Sequence, residues 1–191
     1  RRRYAAWLLG LVAARPRGCA LRGGAGGRRG AASTGVASAR SPGALGLDAG
    51  ANAILTYDQN TATFGVLVTL PSVPNNSGIG PPQSDPVPTA LERAGDDLLI
   101  STLTGFPFNP GVATLYRVDP QGNLSVEYTG LSVITDVAVD PTDGDIAVAQ
   151  FASFEFPAGW NPNGGQISKL TSDGLIPMAT NLQFPPSVVC G

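Results

Sequence analysis

An all-β fold of the β-propeller class is what the sequence predicts, and three features predict it. Short apolar runs rich in β-branched residues recur along residues 46–191, separated by Gly, Pro, Asn and Asp clusters where a strand must reverse. No apolar i, i+3, i+4 pattern persists over eleven residues in that part of the chain. The runs also repeat as a set every 45–50 residues, the size of one four-stranded blade. An antiparallel sandwich has short strands at regular spacing too. The internal repeat favours the propeller.

Residues 1–45 stand apart as an Arg-Gly-Ala tail. Arg1, Arg2 and Arg3 precede an apolar run at 4–14, too short to span a bilayer but suited to the core of a signal peptide. Val12, Ala13 and Ala14 supply small residues near a cleavage point, which predicts secretion or periplasmic export. The acid-free Arg/Gly/Ala/Ser stretch that follows also fits an organelle transit peptide. An arginine-glycine RNA-binding tail is the sharper alternative, but the interleaved aromatics that stack bases are missing. This composition is not expected to build a packed core.

The body divides into units. Residues 87–130 contain four runs, TAL, DLLIST, TLYRV and LSVEYTG, and read as one complete blade. Residues 131–181 repeat them: PTALE falls on TDVAV at an offset of 47, Asp97-Leu98 on Asp145-Ile146 at 48, and LYRVDPQG on ISKLTSDG at 52. The offset grows only at turns, where loops absorb insertions, and it places Arg117 on Lys169. A shorter unit at 46–71 is a partial blade in which ILTYDQN stands for LYRVDPQ, and 184–191 begins a fourth. Residues 72–86 read as a Pro/Gly/Asn connection. The TDVAV-type run should be the innermost strand, packed by neighbouring blades on both faces.

Composition narrows the function. Nine of the twelve basic residues lie in the first 40, and all fourteen acids follow from Asp48 onward. An acidic body argues against nucleic acid as a partner. There is no histidine, which removes the Ser-His-Asp and Cys-His arrangements. No stretch is long and apolar enough to cross a membrane as a helix. Cys19 and Cys190 sit near opposite ends, and a disulfide framework is not expected from them.

DPVPTAL, STLTGFPFNPGVATLYRVDPQG and VITDVAVDPTDG together resemble the ScyD/ScyE family, named from scytonemin biosynthesis and related to NHL and gluconolactonase-type six-bladed propellers. The resemblance covers roughly 46–191, with LTGFPF-x-PG its most specific piece. It implies a propeller, often behind a secretory signal, with no firmly assigned reaction. A six-bladed ring needs about 270 residues at this repeat length. The chain is therefore expected to be a fragment, with two complete blades and parts of two more.

Two loops carry the candidate chemistry. GFPFNPG (105–111) and FASFEFPAGWNPNGG (151–165) occupy the same place in successive blades, and each holds a Phe-x-Phe pair. Phe106, Phe108, Phe154, Glu155, Phe156 and Trp160 are thus candidates for a shared binding surface for a small molecule or a protein. Because exposed Phe is costly, the rings are more simply expected to tuck in as plugs between blades. Asp136 is the polar candidate: the resemblance implies that an acid at this place could bind Ca2+ or another divalent metal in a hydrolase or lactonase. The Asn and Glu that such sites add are not matched, and the plainer expectation is that Asp136 accepts backbone N–H groups where its strand starts. No cofactor is otherwise predicted. The Asp140–Asp145 segment lacks calcium-loop spacing and reads as a turn, and Asn75 and Asn123 match glycosylation acceptors. The leading functional expectation is a non-catalytic binding or scaffold propeller.

Overall fold

The computed structural model describes residues 19–21 and 43–191; the targeting segment at 4–14 and the Arg/Gly stretch at 22–42 lie outside them. Among the described residues every regular element is a strand. β1 (Cys19–Leu21) precedes a three-stranded sheet of β2 (Gly43–Asp48), β3 (Ala53–Asp58) and β4 (Thr63–Thr69). A short hairpin, β5 (Val73–Pro74) with β6 (Gln83–Ser84), follows. It leads into a four-stranded sheet of β7 (Pro86–Ala94), β8 (Asp97–Thr104), β9 (Ala113–Val118) and β10 (Leu124–Leu131).

The second four-stranded sheet begins with β11 (Ile134–Val139) and β12 (Ile146–Gln150). A small hairpin, β13 (Phe154–Glu155) with β14 (Gly159–Trp160), interrupts it. The sheet then resumes with β15 (Gly165–Thr171) and β16 (Gly174–Leu182), and β17 (Val188–Cys190) opens the next unit. All the pairings are antiparallel and, apart from β1 with β17, join neighbours in sequence within each sheet, as in propeller blades.

The sheets stack face to face, and each junction has its own apolar core. Leu45 and Ile54 of the first blade meet Leu91, Ile100 and Tyr116 of the second. Leu99, Leu115 and Leu131 of the second meet Ile134, Val148 and Leu170 of the third. Ala147, Ala149 and Ile167 of the third meet Val188 of β17. The central side chains are fully enclosed, so truncating one such Leu to Ala costs about 2–5 kcal/mol. Burial of this kind explains why β8, β12 and β9 read as continuous apolar runs.

Hydrogen bonds between innermost strands tie the blades together at the hub. Thr89 on β7 donates its hydroxyl to the carbonyl of Ile134 at 2.8 Å, and Thr135 on β11 donates to Pro185 at 3.0 Å. Both threonines are bulge residues, since the register slips between Pro88 and Ala90 and again between Ile134 and Asp136. The structural match is therefore Thr89 with Thr135, one residue away from the offset of 47 that composition favours. Further out the repeat holds: Arg117 pairs with Asp97, and Lys169 pairs with Asp145.

Two expectations for the tail are corrected. Cys19 and Cys190 form a disulfide, because β1 lies antiparallel to β17 with the two cysteines directly opposite. Cys19 also packs against the core around Val188, and Leu45, read as tail, is buried against Ile54. Apolar side chains within the tail thus find partners that its overall composition conceals.

Candidate binding face

The two candidate loops leave the same end of successive blades, one joining β8 to β9 and the other β12 to β15. The first is folded by backbone contacts: the amide of Gly105 donates to Asp85 at 2.9 Å, and that of Phe108 donates to Gly105 at 2.9 Å. Phe108 sits at a φ of 58°, a left-handed conformation uncommon for a residue other than glycine. The amide of Gly111 then donates to Ser132 Oγ at 2.9 Å, anchoring the loop to the start of the third blade. In the second loop the amides of Asn161 and Gly164 donate to Ser153 and Asn161, each at 3.0 Å, and close the turn beneath the β13–β14 hairpin. Both loops contain a cis peptide, at Phe106-Pro107 and Phe156-Pro157.

These folds bring the aromatic rings of two blades together. Phe108 lies edge-on to Phe154 at 5.4 Å between ring centroids and 5.0 Å from Trp160. Trp160 also meets Phe154 at 5.0 Å, directly opposite it in the hairpin. Phe106 contacts Phe108, Phe154 and Phe156 at 6.3–6.4 Å. Such edge-to-face pairs add about 0.5–1.5 kcal/mol beyond the area they bury. The interlocked rings are Phe108, Phe154 and Trp160, all half-buried, while Phe106 and Phe156 remain 48% and 59% exposed. The expectation of simple inter-blade plugs is therefore only half met. The inner rings fill the seam, and the outer two stand open.

Two further aromatics, not singled out by the sequence, extend the cluster. Phe151 packs edge-on to Trp160 at 5.6 Å and stacks on Phe184 at 4.9 Å. Both begin repeat units or loops, and their position there was the available signal. Glu155 is exposed and pairs with Gly159 across the hairpin; no ring contact involves it. The connection at 72–86 borders the first loop, where Asn109 Nδ2 donates to Asn75 Oδ1 at 2.7 Å. Asn75 Nδ2 in turn donates to the carbonyls of Ile79 and Pro81, and Asn123 Nδ2 donates to Asp119. Both acceptor-type asparagines thus have their amide nitrogens engaged.

Asp136 occupies the hub. Its Oδ1 accepts the amide of Val137 and its Oδ2 accepts that of Val188, each at 3.0 Å. Burial raises its pKa, with the two N–H bonds acting against that shift. Glu92 on β7 is raised too, first by burial and then by the charge of Asp136. Two carboxylates near each other do not make a calcium site, which takes six to eight oxygens. Both oxygens of Asp136 already accept backbone hydrogens, and among the described residues no three His, Cys, Asp or Glu side chains converge. Around Asp136 the described residues do not supply the set of oxygens that a calcium ion takes. Asp140 accepts the amide and hydroxyl of Thr142, so that segment is a turn.

No family model matches the chain, and no curated protein does. A chain from the crystal structure of the nidogen/laminin complex superposes with a TM-score of 0.52 at 13% identity, covering 78% of this chain and 48% of its own length. The calcium-binding protein regucalcin of Agrobacterium tumefaciens strain C58 aligns over 78% of this chain and 41% of its own, at 14% identity and a TM-score of 0.46. The chain is a β-propeller. At these identities the likeness speaks for fold alone, and the chain spans about half the length of the nidogen/laminin neighbour.

Proposed function

We propose that this chain is a non-catalytic binding propeller of the ScyD/ScyE type, with the aromatic loop pair as its contact surface. One observation carries the reading: Phe106 and Phe156 are held open to solvent on a base of interlocked Phe108, Phe154 and Trp160. A propeller that needed these rings only as filler would bury all of them. A rigid, mostly apolar shelf suits a flat apolar or aromatic group, on a small molecule or on a protein side chain. The neighbour in the nidogen/laminin structure belongs to a complex, which fits a protein partner. The disulfide and the apolar run at 4–14 support an exported protein. A link to a scytonemin-like pathway rests on the sequence resemblance.

The metal-dependent hydrolase reading has weaker support, because Asp136 spends both oxygens on backbone hydrogens. The test uses Trp160, whose only companion tryptophan is Trp7 in the tail. A panel of aromatic compounds and aromatic-rich peptides is titrated while its emission is followed. Binding that is lost in Phe106→Ala or Phe156→Ala, with the melting temperature kept, supports the proposal. If those two substitutions unfold the chain as core truncations do, the shelf is filler and the proposal fails.

A further inference from the structure

The two exposed rings of the aromatic shelf form a corner. Phe106 and Phe156 lie 6.3 Å apart with their planes at 85°, so they stand as two walls. Phe108 and Phe154 each contact Phe106 and back it. The described chain also flanks Phe106 on both sides. A Cβ on Gly80, in the connection at 72–86, would come 3.9 Å from its ring, and the third blade lies opposite. The exposure of Phe106 thus belongs to the middle of the row of blades.

Charge at this end of the blades has one sign. The corner shares the end with the β2–β3 turn and the connection at 72–86. Together these turns and loops carry Asp48, Asp85 and Glu155, and not one Lys or Arg. The bases among the described residues are Arg93, Arg117 and Lys169, all close to turns at the opposite end. There Arg117 pairs with Asp97 and Lys169 with Asp145. Asp85 stands beside the corner. Its carbonyl accepts the amide of Gly105, the residue before Phe106, and a Cβ on that glycine would come 4.0 Å from the Cβ of Asp85. The Asp85 side chain is exposed. Glu155 is exposed too, and strand alternation sets it on the other face of the hairpin from Phe154. It acts on the corner through its field alone.

We infer that the shelf receives an arginine side chain presented by a basic segment of a partner protein, an assignment that rests on the binding role proposed above. A guanidinium is planar and weakly hydrated, and it stacks on aromatic faces while its N–H groups reach a carboxylate. The corner supplies ring faces from Phe106 and Phe156 and a carboxylate from Asp85. Small molecules are ordinarily enclosed over most of their surface, whereas an open corner suits a side chain carried on a peptide.

Short glycine-serine peptides that differ only in a central pair of side chains test it on the full chain. The pair is arginine, its neutral isostere citrulline, or phenylalanine, and Trp160 emission is followed with Trp7→Phe in place. The arginine peptide is expected to bind about tenfold more tightly than the citrulline peptide, with the advantage shrinking as salt rises. Asp85→Asn should remove about two- to fivefold of that advantage and leave the phenylalanine peptide unaffected. Phe106→Ala should weaken all three. Equal binding of arginine and citrulline overturns the inference, and so does an arginine preference that survives Phe106→Ala. If the phenylalanine peptide alone binds, the shelf remains a contact surface and only the cationic assignment fails. Absence of binding by all three counts against the contact surface itself.

Discussion

Asp136 Oδ2 accepts the amide hydrogen of Val188 at 3.0 Å, across 52 residues of chain and from one innermost strand to the next. Its other oxygen caps the amide of Val137 beside it. This side chain ties the third blade to the start of the fourth. Asp136→Ala leaves both amides without that partner and is expected to cost about 1–3 kcal/mol. Asp136→Asn keeps one acceptor and should cost less. Urea midpoints at an unchanged slope decide between them.

Glu92 and Asp136 both have raised pKa values, so each binds its proton more tightly in the folded chain than in the unfolded one. The stability contributed by such a group is fully present below its unfolded pKa and is lost as pH rises through the folded pKa. Glu92→Gln is therefore expected to raise the urea midpoint at neutral pH. The gain should shrink as pH falls and vanish below the ordinary carboxylate range. A gain that persists in acid would show a cause other than ionisation.

The aromatic shelf should divide into two classes on truncation. Phe106→Ala and Phe156→Ala remove exposed rings and are expected to cost less than about 1 kcal/mol. Phe108→Ala and Trp160→Ala remove rings from the base and are expected to cost about 1.5–3 kcal/mol each. Thermal melts of the four variants measure the difference.

Gly165 lies where no side chain fits. A Cβ there would run into Pro185 and would stand 2.7 Å from the carbonyl oxygens of Leu182 and Phe151. Two of those obstacles are backbone, so they cannot rotate away. Gly165→Ala is expected to destabilise the third blade by about 2 kcal/mol or more and to disturb the Phe151–Phe184 stack. Denaturation and near-ultraviolet circular dichroism report both effects.

Non-reducing peptide mapping is expected to recover Cys19 and Cys190 in one linked peptide pair. Because the bridge closes nearly the whole chain, reduction or Cys190→Ser should lower stability by about 2–4 kcal/mol. An unchanged melting temperature under reductant would count against a structural role for the bridge.

The blade pattern was readable because strand alternation and turn residues act locally. The match of Arg117 to Lys169 carried through to the same ion pair in both blades, with Asp97 and Asp145 as partners. The innermost strands were matched one residue out, since a bulge at Thr89 or Thr135 leaves no mark in composition. The loop pair was legible as a candidate, but the division of its rings into base and rim was not. That division depends on contacts between Phe108 and Trp160, which lie in successive blades and 5.0 Å apart in space. The Cys19–Cys190 bridge escaped notice for the same reason, because sequence spacing says nothing about which distant strands lie side by side.

The unequal lengths of the two loops have an evolutionary consequence. The second loop is longer and carries its own hairpin, yet the strands on either side keep the pairing seen in the preceding blade. Residues inserted there alter the outline of the shelf without reaching the threonine and aspartate contacts at the hub. On the reading proposed above, recognition and folding are thereby open to separate selection. A lineage could recut the surface for a new ligand, one loop at a time, while the ring beneath stays as it is.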